Sequence, residues 1–116
     1  SILLGLIGSG FNGQSFCFNG YIPKDRKQRI AAFKEYEYLA NKTGQTQIFM
    51  ETPFRNNHLL EDLLNECMDN TFLCIACDLT LPTERVQTMT IEEWRKNAFS
   101  LDKRPTMFLI GKPFAI

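Results

Sequence analysis

The sequence carries no net charge, because thirteen basic and thirteen acidic side chains cancel. Overall charge therefore makes no case for a nucleic-acid partner, and only a local patch can supply one. No apolar run approaches the ~20 residues needed to span a bilayer. The apolar stretch Ile2 to Ile7 lacks the basic leader that a signal peptide carries. Histidine occurs once, as His58, and there is no second CxxC. A zinc site of Cys and His is thus short of ligands, and no metal is expected. Repeats, low-complexity tracts and linkers are missing too. What is left is one domain, whose 116 residues can bury roughly two-thirds of the unfolded surface.

Four cysteines are present, at positions 17, 67, 74 and 77. Cys74-Ile75-Ala76-Cys77 invites a redox or metal reading. The run Phe72 to Cys77 reads as a strand, however, and residues three apart on a strand point to opposite faces. These cysteines are expected to act as buried small hydrophobes in a reducing compartment, the cytoplasm. The chain opens without Met inside an apolar run and closes after another. That pattern is expected of a fragment of a longer protein.

The organising stretch is Thr46 to Arg55. Thr46 to Met50 is rich in β-branched and aromatic residues, enters through the turn signal Thr43-Gly44-Gln45, and reads as a buried strand. Thr52-Pro53 then reads as a helix start, Thr as N-cap and Pro at the first helical position. A strand running into a helix N-terminus places free N–H groups at the carboxyl edge of a sheet, where open α/β folds bind ligands. Glu51 sits at this corner.

Around it, Ser1 to Ser9 fits a helix or a strand. Gly8-Ser9-Gly10-Phe11-Asn12-Gly13 matches the dinucleotide fingerprint, which has meaning only between a strand and a helix. The following Gln14 to Phe18 alternates like a strand and meets a turn at Asn19-Gly20, so a glycine-rich helix exit is expected instead of an NAD site. Lys24-Asp25-Arg26-Lys27-Gln28-Arg29 is a basic helix start and the best local candidate for phosphate contact. Its helix runs to about Asn41. A second helix, about Pro53 to Met68, has a core stripe of Leu59, Leu60, Leu63, Leu64, Cys67 and Met68 and an acidic outer face. His58 beside the stripe reads as a partly exposed helix residue. Thr71 to Leu79 and Arg85 to Met89 read as strands, Thr90 and Glu93 as a capping box, and Thr106 to Ile110 as a last strand closed by Gly111. The expected fold class is α/β, with a mixed sheet of about five strands, some paired antiparallel, flanked by helices.

With these segments in order, the chain resembles the C-terminal half of tetrapyrrole-methylase-type (class III) S-adenosylmethionine-dependent methyltransferases. It is similar in particular to the branch that 2′-O-methylates a cytidine of small-subunit ribosomal RNA. The resemblance is carried by Asn19-Gly20-Tyr21-Ile22-Pro23, by Ile48-Phe49-Met50-Glu51-Thr52-Pro53-Phe54-Arg55, and by Ala76-Cys77-Asp78-Leu79-Thr80 with Glu84 beyond. Phe54 stands where the branch has His, and Cys77 where it has Arg.

The resemblance implies that residues 1–116 form a C-terminal domain whose N-terminal partner domain is absent. S-adenosylmethionine would lie in the cleft between the two. Cofactor-lining residues would be Ser1, Met50, Glu51, Thr52, Leu79 and Thr80. Lys24, Arg26, Lys27 and Arg29 would contact ribosomal RNA, and the enzyme would be a homodimer. No catalytic base is assigned, and half a site should not catalyse alone. The same fold also serves tetrapyrrole C-methylation, and a non-catalytic dimerisation module is a further alternative. All of this requires the corners after Met50 and after Asp78 to share one rim of the sheet.

Overall fold

The computed structural model describes residues 2–97, 99–101 and 103–113. Four α-helices occur among these residues: α1 (Ile2–Ser9), α2 (Arg26–Tyr38), α3 (Asn56–Glu66) and α4 (Ile91–Lys96). Five strands form one sheet: β1 (Phe16–Tyr21), β2 (Thr46–Met50), β3 (Phe72–Cys77), β4 (Arg85–Thr90) and β5 (Thr106–Gly111). Their spatial order is β1-β2-β5-β3-β4. β1 and β2 are parallel, and the other three pairings are antiparallel. The fold is the expected α/β domain with a mixed five-stranded sheet.

The middle strand is β5, the last in the chain, and not β2. All six residues of β5 are buried, as a strand covered on both faces requires. The strands sort their side chains with period two. Phe49, Leu73, Ile75, Cys77, Phe108 and Ile110 join the larger core with residues of α2, α3 and α4. Ile48, Cys74, Ala76, Met107 and Leu109 join the smaller core under α1. Cys74 and Cys77 therefore lie on opposite faces of β3. Burial pushes the Cys67 thiol up to about 12 and the Cys74 thiol up to about 11, so both are inert side chains of the interior.

The larger core stacks Phe49 on Phe108 at 5.8 Å between centroids, with Tyr36 and Phe33 tilted against Phe49. Each such ring contributes about 1.5–3 kcal/mol by leaving water. Trp94 is also buried, and its indole N–H donates to the Leu73 carbonyl at 2.8 Å. α4 is held by the anticipated box: Glu93 N–H donates to Thr90 Oγ1, and Thr90 N–H donates to Glu93 Oε1.

Several boundaries differ from the sequence reading. Ile2 to Ser9 is helical and lies close to the sheet because of its glycines; a Cβ on Gly5 would meet Met107 Cε at 3.3 Å. Asn19-Gly20 is not a turn. It lies inside β1, where Gly20 has φ 73° and the register with β2 slips, a bulge that a left-handed residue permits. The second helix opens with a tight 3-10 turn, Pro53–Arg55, and ends at Glu66 because Cys67 is extended. β3 stops at Cys77, since Asp78 takes φ 53°.

Candidate functional site

The strand ends decide where ligands can sit. The ladders line up Tyr21, Met50, Met107, Ala76 and Val86 in one row across the sheet. The carboxyl ends of β1, β2 and β3 and the start of β5 therefore share one rim. The corners after Met50 and after Asp78 lie on that rim, separated by β5. A cavity of about 590 Å³ opens there, on the α1 side. Met50, Ala76, Leu79, Leu81 and Met107 give it apolar walls, and Glu51 and Asp78 stand at its edge. The volume is that of an ordinary small-molecule site, about 300–1,000 Å³.

Glu51 is 4% exposed and does not simply face a helix dipole. Its Oε2 accepts from Arg29 Nη2 at 2.5 Å, and its Oε1 accepts from Thr52 N–H at 2.9 Å. Arg29, also 4% exposed, donates through Nη1 to Asp62 Oδ2 at 2.9 Å and through Nε to the Pro23 carbonyl at 3.1 Å. This buried arginine clamps α2, α3 and the β2 corner together. Arg29 is thereby withdrawn from the RNA-contact group: its donors are spent inside the protein, and no phosphate can reach them. Lys24, Arg26 and Lys27 remain exposed. Arg26 lies 4.0 Å from Asp62 and 3.7 Å from Glu66.

The second corner is built differently. Asp78 and Thr80 both have positive φ, at 53° and 70°, a strained backbone of the kind that persists where surrounding bonds fix it. Asp78 Oδ2 accepts from Arg104 Nε and from Thr83 Oγ1, each at 2.8 Å. The bonds from Arg104 and Thr83 hold the Asp78 carboxyl below the usual carboxylate range. Thr80 N–H donates to Glu84 Oε1 at 2.8 Å, so each corner threonine has its N–H held by a glutamate of its own loop.

Among the expected cofactor residues, Met50, Glu51 and Leu79 line the cavity, whereas Thr52 and Thr80 do not. Ser1 lies outside the described residues. Thr52 takes the N-cap position, but its hydroxyl makes no capping bond. Thr52 Oγ1, Arg55 Nη1 and Asn56 Oδ1 are three of the four buried side-chain polar atoms without a partner among the described residues. Buried polar atoms are seldom left so, and a cluster within one short turn beside a cavity suits a polar ligand or bound water. The sequence reading missed Phe18, Tyr21, Thr106 and Met107. The first two sit on an edge strand, and the last two depend on β5 entering the middle of the sheet, which no local pattern announces.

The fingerprint glycines are not part of this site. α1 ends at Ser9, Gly10 is left-handed at φ 75°, and the next element is β1, so a helix N-terminus for a dinucleotide is lacking there. His58 is exposed, with Nε2 3.6 Å from Asp62.

No family model matches the chain. It is 35% identical over 96 residues to ribosomal RNA small subunit methyltransferase I of Halalkalibacterium halodurans, covering 80% of this chain and 32% of that protein. To the protein of the same name in Vibrio cholerae it is 30% identical over 93 residues, covering 80% of this chain and 31% of the relative. The chain thus spans about a third of the length of the curated relatives it matches. Its fold is similar to that of the methyltransferase CobJ, with a TM-score of 0.58 over 97% of this chain and 47% of that one, at 16% identity. With these similarities in sequence and fold, the chain belongs to the tetrapyrrole-methylase-type (class III) methyltransferases.

Proposed function

We propose that residues 1–116 form the C-terminal half of an S-adenosylmethionine-dependent enzyme that methylates a ribose 2′-hydroxyl in small-subunit ribosomal RNA. The observation that carries this reading is the single rim on which both corners meet around the 590 Å³ cavity. The apolar walls, with Glu51 and Asp78 at the edge, fit a ligand that is part polar and part apolar. A further domain of the intact protein would close the open side.

When bound, S-adenosylmethionine supplies an electrophilic methyl group on a sulfonium. This chain's share is positioning. Met50, Leu79 and Leu81 exclude water from one wall. The Arg29–Glu51–Asp62 clamp fixes the first corner, and the Asp78–Arg104–Thr83 bonds fix the second. Glu51 and Asp78 are both committed to arginines, and Asp78 is held acidic, so neither is suited to take the proton of a ribose hydroxyl. Lys24, Arg26 and Lys27 lie beyond the end of β1 and supply phosphate contacts.

Calorimetry on the intact enzyme tests the cleft. Leu79→Arg and Leu81→Arg place charge in the apolar wall and should weaken S-adenosylmethionine binding at least about tenfold, the equivalent of ~1.4 kcal/mol. Unchanged affinity in both folded variants would remove the corner after Asp78 from the site. Nuclease mapping tests the substrate: small-subunit ribosomal RNA from a deletion strain should lack one ribose methyl, and full methylation rejects that substrate.

A further inference from the structure

We propose that the exposed rings of Tyr21 and Phe54 form a stacking platform for unpaired bases of an RNA substrate, with Lys24 and Lys27 holding the adjoining phosphates. This rests on the reading of the protein as an RNA methyltransferase and extends it from the cofactor to the substrate. Tyr21 is 64% exposed and Phe54 is 70% exposed. Tyr21 ends β1 and pairs with Met50 in the ladder, and Phe54 lies in the turn that leaves β2. Tyr21 lines the cavity, and Phe54 follows Pro53, which lines it too.

Charge around these rings is one-sided. Lys24 and Lys27 are exposed and form no ion pair among the described residues. Arg55 is half-buried, with Nη1 buried, and its guanidinium carbon packs 5.1 Å from the Phe54 ring centroid, which steadies that ring. The neighbouring carboxylates are already engaged: Asp25 accepts from Gln28 N–H, and Glu51 and Asp62 are held by Arg29. The other large apolar patch, Leu3, Leu4 and Ile7 on α1, has no charged residue on its helix. That patch suits protein contact, whereas rings beside free cations suit a polyanion with flat bases. Stacking is sequence-tolerant and needs unpaired bases, because an A-form duplex hides its base faces.

The test uses the intact enzyme and a fluorescein-labelled single-stranded oligoadenylate, with anisotropy read across a salt series. Tyr21→Ala and Phe54→Ala should each weaken binding about tenfold or more, with the salt slope unchanged. Tyr21→Phe and Phe54→Trp should restore it. Lys24→Ala and Lys27→Ala should each reduce the slope of log affinity against log salt by about 0.7. Cofactor affinity, measured by calorimetry, should stay at the wild-type value in Phe54→Ala, Lys24→Ala and Lys27→Ala, whose residues do not line the cavity. Full oligoadenylate affinity in both alanine variants overturns the platform. So does a loss confined to cofactor affinity in Phe54→Ala. Loss of assembly with RNA affinity intact would show that other protein surface covers the rings, and it also overturns the proposal. If the wild type binds S-adenosylmethionine but not the oligonucleotide, the platform fails while the methyltransferase reading stands; if it binds no S-adenosylmethionine, the broader reading fails.

Discussion

The two faces of the sheet are built to different ends. One is covered by α2, α3 and α4 and packs Phe33, Phe49, Phe108 and Trp94 into a continuous core. The other is covered by the eight residues of α1 and leaves the carboxyl rim open. The covered face buries the larger apolar area and supplies most of the stability. The sparsely covered face keeps a cavity because a short helix cannot reach across five strands. Gly5 lets α1 lie near enough to floor that cavity with Ala76 and Met107 without filling it. Stability and ligand space are thus separated by the pleat of the same strands, residue by residue.

That separation can be attacked, and Arg29 should break it most severely, since its clamp joins the covered face to the open rim. Arg29→Ala leaves Glu51 and Asp62 buried and unpaired and should cost about 3–5 kcal/mol by urea unfolding, with cofactor affinity lost as well. Leu63→Ala acts on the covered face only. It should cost about 2–5 kcal/mol while the folded fraction binds S-adenosylmethionine normally. Gly5→Val should show the reverse pattern. Its side chain would press on Met107, Ala76 and Leu79, costing about 1–3 kcal/mol but closing the cavity, so affinity should fall by more than stability.

A smaller effect is expected from pH. The folded Asp78 carboxyl is more acidic than its ordinary value of 3.8, chiefly through the bond from Arg104. Its contribution is therefore complete above that ordinary value and is lost as pH falls below it through the folded pKa. Asp78→Asn should flatten stability against pH only in that acid limb, as followed by urea unfolding from about pH 3 to pH 7. The smallest effect is chemical. With their thiols pushed up by burial, Cys67, Cys74 and Cys77 should resist alkylation in the native protein at neutral pH, and peptide mass spectrometry should find label first on half-buried Cys17.

Much of the fold was legible locally. Thr46 to Met50, Thr106 to Gly111 and the Thr90–Glu93 box announce themselves through β-branched runs and capping chemistry, which act over a few residues. The opposed faces of Cys74 and Cys77 follow from period two alone. Arg29 was misread because a basic cluster at a helix start looks solvated. Its partners Glu51 and Asp62 lie 22 and 33 residues away, and only packing brings them together. Gly20 was misread for a similar reason, since Asn-Gly marks a turn unless a neighbouring strand holds it in a ladder.

By itself, the sequence determined the number and kind of elements and the fact that two loops, after Met50 and after Asp78, leave strands at their carboxyl ends. These properties depend on periodicity and capping, which each segment carries within itself. Only the tertiary structure decided that the last strand enters the middle of the sheet, giving the order β1-β2-β5-β3-β4, and that the two loops thereby face one cavity. Strand pairing joins residues far apart in the chain through backbone groups that every sequence shares, so the choice of neighbour is made by burial of the whole sheet and not by any one stretch.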